Sequence, residues 1–116
     1  MRVLVVDDEI DFRESLIEIL QIKGHDAFGV GSIADYFRLP ASTTFDLAVI
    51  DRMLTDGDGI EVMRHIRKTK QSRVILISGL VSPESTDLAS DIVPDLCISK
   101  PFIVKPLLEF IALLPV

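Results

Sequence analysis

The chain reads as apolar runs that each stop at a polar residue. Val3-Leu4-Val5-Val6 stops at Asp7-Asp8, and Leu47-Ala48-Val49-Ile50 stops at Asp51. Val74-Ile75-Leu76-Ile77 stops at Ser78, and Leu96-Cys97-Ile98-Ser99 stops at Lys100-Pro101. Strand and helix patterns alternate five times along the chain, which predicts an α/β fold, a parallel sheet with helices on both faces. The first strand is expected over Arg2–Val6. The first helix is expected over Ile10–Ile22, where Phe12, Leu16, Ile19 and Leu20 share one stripe and Gly24 provides a stop. A second strand follows over Asp26–Val30. Ser32 with Asp35 resembles a capping box and opens a short second helix that Pro40 ends.

The third strand is expected over Asp46–Ile50. Thr55-Asp56-Gly57-Asp58-Gly59 is a turn signal, and the third helix runs from Ile60 to about Lys68 with Val62, Met63 and Ile66 inward. The fourth strand is expected over Arg73–Ile77. Ser82-Pro83 reads as the start of a fourth helix that Pro94 cuts short. The fifth strand covers Leu96–Ser99, and the fifth helix Val104–Leu114, with Pro106 tolerated only in its first turn.

If the strands are parallel, their carboxyl ends share one edge, which is where open parallel sheets bind ligands. Asp7, Asp8, Asp51, Ser78 and Lys100 then converge. Three carboxylates and an ammonium suit a divalent cation and a phosphoryl group. Mg²⁺ takes oxygen ligands and keeps several waters. Clustered like charges disfavour one another's ionisation, and a cation reverses that. A carboxylate can also act as a nucleophile toward phosphorus. Each residue alone has a plainer reading: Asp7-Asp8 as a helix N-cap, Asp51 as a turn acid, Ser78 as a loop hydroxyl, Asp58-Gly59 as a shaped turn. The joint placement at strand ends carries the functional reading. His25 and His65 read as solvated, and Cys97 as a small buried hydrophobe.

Composition narrows the function further. The 116 residues are long enough for one domain with a proper core, and 48% are hydrophobic. Apolar runs fall far short of the roughly 18 residues of a membrane span. The first strand begins at Arg2, so no leader peptide is expected, and with a single cysteine fitting a reducing compartment a cytoplasmic location is expected. A net charge of −6 without a basic cluster argues against direct nucleic-acid binding.

With these residues in place, the chain resembles the receiver domain of bacterial two-component response regulators over essentially its whole length. The matching residues are Val5-Val6-Asp7-Asp8-Glu9, Asp51-Arg52-Met53-Leu54 with Asp58-Gly59, Ser78-Gly79, and Lys100-Pro101-Phe102. The resemblance implies a single receiver domain, 1–116, with a doubly wound, flavodoxin-like sheet of strand order 2-1-3-4-5. It implies that Asp51 accepts a phosphoryl group from a histidine kinase or phosphotransfer protein. Asp8 would bind Mg²⁺ directly, Asp7 largely through water, and the Met53 carbonyl would be a further ligand beside Asp51. Mn²⁺ is an expected substitute. Ser78 and Lys100 would contact the phosphoryl group. Met53 and Leu80, both apolar, occupy positions that shape water access, which implies slow self-dephosphorylation. Beyond self-phosphorylation and its reversal, no enzyme activity is implied.

Two positions depart from the family pattern within the chain. Thr55 stands where proline is common. Cys97 stands at the switch position, where an aromatic ring usually moves with the Ser/Thr hydroxyl. The output is expected to be a downstream protein target, or a homodimer, bound through the fourth helix, fifth strand and fifth helix. The fifth helix carries more apolar residues than one stripe needs. The competing readings are a pseudo-receiver that only docks and a haloacid-dehalogenase-like phosphatase. The latter needs Asp-x-Asp after its first strand, where this chain has Asp7-Asp8-Glu9.

Overall fold

The computed structural model describes residues 1–78, 94–99 and 104–114. The expected fourth helix and the positions of Gly79, Leu80, Lys100, Pro101 and Phe102 lie outside the described residues. Five strands form one parallel sheet: β1 (Arg2–Val6), β2 (Asp26–Val30), β3 (Leu47–Asp51), β4 (Arg73–Ser78) and β5 (Leu96–Ser99). Their order is β2-β1-β3-β4-β5, the doubly wound order that the family resemblance implies. The helices are α1 (Ile10–Ile22), α2 (Ile33–Arg38), α3 (Ile60–Thr69) and α4 (Val104–Leu113), the last being the fifth helix of the sequence reading. A small antiparallel hairpin, Met53–Leu54 with Gly57–Asp58, lies between β3 and α3. Among the described residues, no helix is long and apolar enough to cross a membrane.

The apolar runs become strands because both sheet faces are covered. On one face Leu4, Val6, Ala48, Ile50, Val74 and Leu76 meet α2 and α3 through Ile33, Tyr36, Val62, Met63 and Ile66. On the other, Val3, Val5, Leu47, Val49, Ile75 and Ile77 meet α1 and α4 through Leu16, Leu20, Leu107 and Ile111. Alternate residues of each strand thus serve opposite cores, so a one-residue slip would exchange them.

Four boundaries differ from expectation by a residue: both ends of β3, the end of β4 at Ser78 and the end of α4 at Leu113. Asp46 is a bend just before β3, its carboxylate accepting the Arg2 N–H at 2.7 Å and its N–H donating to the Arg2 carbonyl, while Asp51 stays in the sheet, in register with Ile77. The expected apolar excess of the last helix is largely absorbed. Leu107 and Ile111 are buried, and Val104, Leu108 and Phe110 pack at the edge of the same core, near Met1, Phe12 and Ile17. Among its described residues Leu113 is the large apolar side chain left exposed, at 84%.

Candidate functional site

The acids meet because β1 and β3 are hydrogen-bonded neighbours that end side by side. Asp7 continues β1 by one residue, its N–H donating to the Val30 carbonyl at 3.1 Å. Its side chain is fully buried, and Oδ1 accepts the Glu9 N–H at 2.9 Å, which turns the chain into α1. Asp8 points from that turn and is half-buried. Asp51 ends β3 only 5% exposed, with Oδ1 accepting the Met53 N–H at 2.9 Å. Carboxylate oxygens of Asp7, Asp8 and Asp51 all lie within 4.8 Å of one another. Three hard oxygen donors at that spacing, two of them buried, fit a divalent cation such as Mg²⁺. Without one, their mutual repulsion in a low-dielectric pocket is unfavourable.

The turn into α3 depends on a close approach. Gly59 lies against β3, and a Cβ there would sit 2.2 Å from the Asp51 carbonyl oxygen and 2.8 Å from Ile50 Cγ2. Its φ is an ordinary helical −59°, so space and not backbone freedom requires glycine. Asp58 caps α3 through the Ile60 N–H at 3.0 Å and pairs with Arg52 at 3.2 Å. The structural reading of Asp58-Gly59 therefore holds.

Ser78 ends β4 in register with Ser99 of β5, at the same edge as Asp51. Met53 stands at the rim, 67% exposed. Cys97 is half-buried rather than buried, because β5 borders the sheet; it packs against the α2–α3 core. Burial pushes its thiol pKa up, with the Arg52 charge opposing in part.

Several contacts had no sequence signal. The Thr55 hydroxyl donates to the Asp8 carboxylate, tying the hairpin to the acid pocket. The next residue, Asp56, accepts the Ile33 and Ala34 N–H groups at 3.0 Å each and so caps α2 from a distance, beside the expected Ser32 cap. Those amides hold the Asp56 carboxyl below its ordinary pKa. The Arg13 guanidinium donates to the Asp7 carbonyl at 2.6 Å. Neither histidine is simply solvated. His65 is half-buried, with Nδ1 2.7 Å from the Tyr36 hydroxyl and its ring edge-on to Tyr36 and Phe37. His25 Nδ1 lies 3.2 Å from the Met1 amine, and burial, together with that charge, lowers its pKa.

This architecture is that of a known domain family. The model of the response regulator receiver domain matches residues 3–112, and the chain belongs to that family. The regulatory protein VirG of Rhizobium radiobacter is 33% identical over 112 residues, covering 95% of this chain and 40% of that protein. The KDP operon transcriptional regulatory protein KdpE of Escherichia coli is 33% identical, covering 86% of this chain and 44% of its own. The chain thus spans about two fifths of the length of these relatives. Among solved structures, the response regulator TrrA of Thermotoga maritima, in complex with Mg²⁺-BeF, superposes with a TM-score of 0.81 at 32% identity, covering 96% of both chains. A CheY-like receiver domain from Methanospirillum hungatei gives a TM-score of 0.85 at 27% identity.

Proposed function

We propose that Asp51 is the phosphoacceptor of this receiver domain and that residues 1–116 work as one phosphorylation-controlled module. The observation that carries this reading is the juxtaposition of the Asp51, Asp7 and Asp8 carboxylates, with their oxygens within 4.8 Å, at the carboxyl edge of the sheet. A bound Mg²⁺, or Mn²⁺ in its place, would neutralise charge on the incoming phosphoryl oxygens. Asp8, half-buried, is the direct ligand in this reading. Asp7 is buried with one oxygen engaged by the Glu9 N–H, and acts mainly through water. The Met53 carbonyl completes the protein ligands.

The donor is a phosphohistidine of a histidine kinase or phosphotransfer protein. An Asp51 oxygen forms the new P–O bond as the P–N bond breaks, and the imidazole nitrogen leaves with the electron pair. Ser78 donates a hydrogen bond to the phosphoryl group, and Lys100 neutralises it as a point charge. Reversal is hydrolysis of the P–O bond. Met53, exposed and apolar beside Asp51, offers no side-chain group to orient the water, so decay is slow. The chain turns over no other substrate. The output is protein binding, to a downstream target or a second copy, through β5, α4 and the segment before them.

Intact mass after incubation with Mg²⁺ and acetyl phosphate tests the reading. One added phosphoryl group is expected, lost in Asp51→Asn and in EDTA, and reduced more by Asp8→Ala than by Asp7→Ala. Full labelling of Asp51→Asn refutes it. Met53→Glu should shorten the lifetime of the phosphorylated form. Sedimentation with and without beryllofluoride, comparing wild type with Leu113→Asp, an exposed position of α4, tests the output face.

A further inference from the structure

Three hydrogen bonds close a ring around the turn that carries the acids. Asp7 Oδ1 accepts the Glu9 N–H at 2.9 Å, the Glu9 carbonyl accepts the Arg13 N–H at 2.9 Å, and Arg13 Nη1 donates back to the Asp7 carbonyl at 2.6 Å. The first is an Asx turn ahead of the helix, and the second is the first intrahelical bond, accepted by the N-cap residue Glu9. The third needs a side chain from one turn further along α1 to reach back to the strand end. A guanidinium on a carbonyl is a charge-assisted bond, stronger than the neutral ones beside it.

Arg13 reaches that carbonyl through space left by two glycines. A Cβ on Gly29 of β2 would lie 2.9 Å from Arg13 Cδ, 2.9 Å from Ile17 Cδ1 and 3.1 Å from Arg13 Cγ, and one on Gly31 would lie 2.9 Å from Arg13 Nη1. Among the described residues neither glycine has a positive φ, so the backbone itself would admit alanine. What the glycines supply is a trench for the Arg13 stem. The Asp7 backbone is thus held on both sides of its Cα, its N–H by Val30 and its carbonyl by Arg13.

We infer that Arg13 is a positioning residue for the acid pocket, fixing the Asp7–Asp8 peptide so that both carboxylates face Asp51, and that Gly29 and Gly31 are glycine in order to admit it. The inference rests on the reading that these acids hold a divalent cation. Two substitutions on different elements should then share one phenotype. Gly29→Ala would push the Arg13 stem aside and release the carbonyl, as Arg13→Ala does directly.

The test is Mg²⁺ titration of the whole chain by calorimetry, for wild type, Arg13→Ala, Arg13→Lys, Gly29→Ala, the double variant and Asp8→Ala. Arg13→Ala and Gly29→Ala should each weaken Mg²⁺ by roughly three- to tenfold, at or below the low end for outer-shell partners. The double variant should be no weaker than Arg13→Ala, and Arg13→Lys should recover part of the loss. The phosphorylation rate at saturating Mg²⁺ should stay near wild type, whereas a purely structural role would lower the melting temperature and leave the Mg²⁺ midpoint alone. If Asp8→Ala abolishes binding while Arg13→Ala leaves the midpoint unmoved, or if the two single losses simply multiply in the double variant, the role of Arg13 is overturned and the site stands. If Asp8→Ala does not alter binding, the site reading itself fails, and the inference with it.

Discussion

β3 and β5 end at the same edge of one sheet, yet they are built differently. β3 is paired on both sides, and all five of its residues, Asp51 included, are buried. β5 is paired to β4 and buries one of its four residues, Ile98. A carboxylate at the end of β3 cannot shift without disturbing two cores, since interiors this dense deform little. A side chain on β5 can. On the function proposed above, the acceptor therefore lies in the more densely packed of the two strands, and Cys97, at the family's switch position, in the less buried, softer one. Cys97 carries no ring to swing, so any response proposed there is one of strand placement. A modification shifts such an equilibrium only by its differential interaction with the two states.

The contrast can be tested most strongly with one residue type on the two strands, Leu47 of β3 and Leu96 of β5. Leu47 is fully buried, and Leu47→Ala should cost about 2–5 kcal/mol in urea unfolding. Leu96→Ala should cost less than half as much; equal losses would break the comparison. Next in size, Gly59→Ala should destabilise by about 1–3 kcal/mol or more, because its Cβ collides with the backbone of Asp51 and has no flexible side chain to displace. Phosphorylation should fall with it, since the acceptor strand itself is pushed.

At the softer strand, Cys97→Ala should cost about 1 kcal/mol or less, in line with partial burial of a small side chain. Burial raises the thiol pKa, so iodoacetamide should modify Cys97 more slowly than a free thiol at about pH 8, and faster alkylation would contradict the burial. The smallest expected effect is a pH dependence at Asp56. Its folded pKa lies below the ordinary 3.8, so its capping contribution is present above that value and is lost as pH falls through the lower, folded one. Amide protection at Ile33 and Ala34 should weaken over that acid range, and Asp56→Asn should flatten the dependence.

The strands were legible because β1, β3 and β4 are unbroken apolar runs, a pattern that burial on both faces requires. The meeting of Asp7, Asp8 and Asp51 was legible for the same reason, since strand ends fix where a following acid must lie. The supporting bonds were not. Arg13 to the Asp7 carbonyl, Thr55 to Asp8, and Asp56 to the α2 amides join a side chain to a distant group whose place only the folded chain defines. The role of His65 was hidden likewise, because its partner Tyr36 belongs to another helix.

The strand order has a consequence for how the chain acquires its structure. β1 comes first in sequence but lies inside the sheet, pairing with β2 on one side and β3 on the other. As the polypeptide is synthesised, β1 can pair early with β2, while its other edge, Val3 to Val6, waits for Leu47–Ile50 to emerge. During that interval an apolar strand presents open hydrogen-bonding groups, the kind of edge on which other chains can template. The acid pocket is unfinished for the same interval, because Asp51 is the last residue of the strand that closes β1.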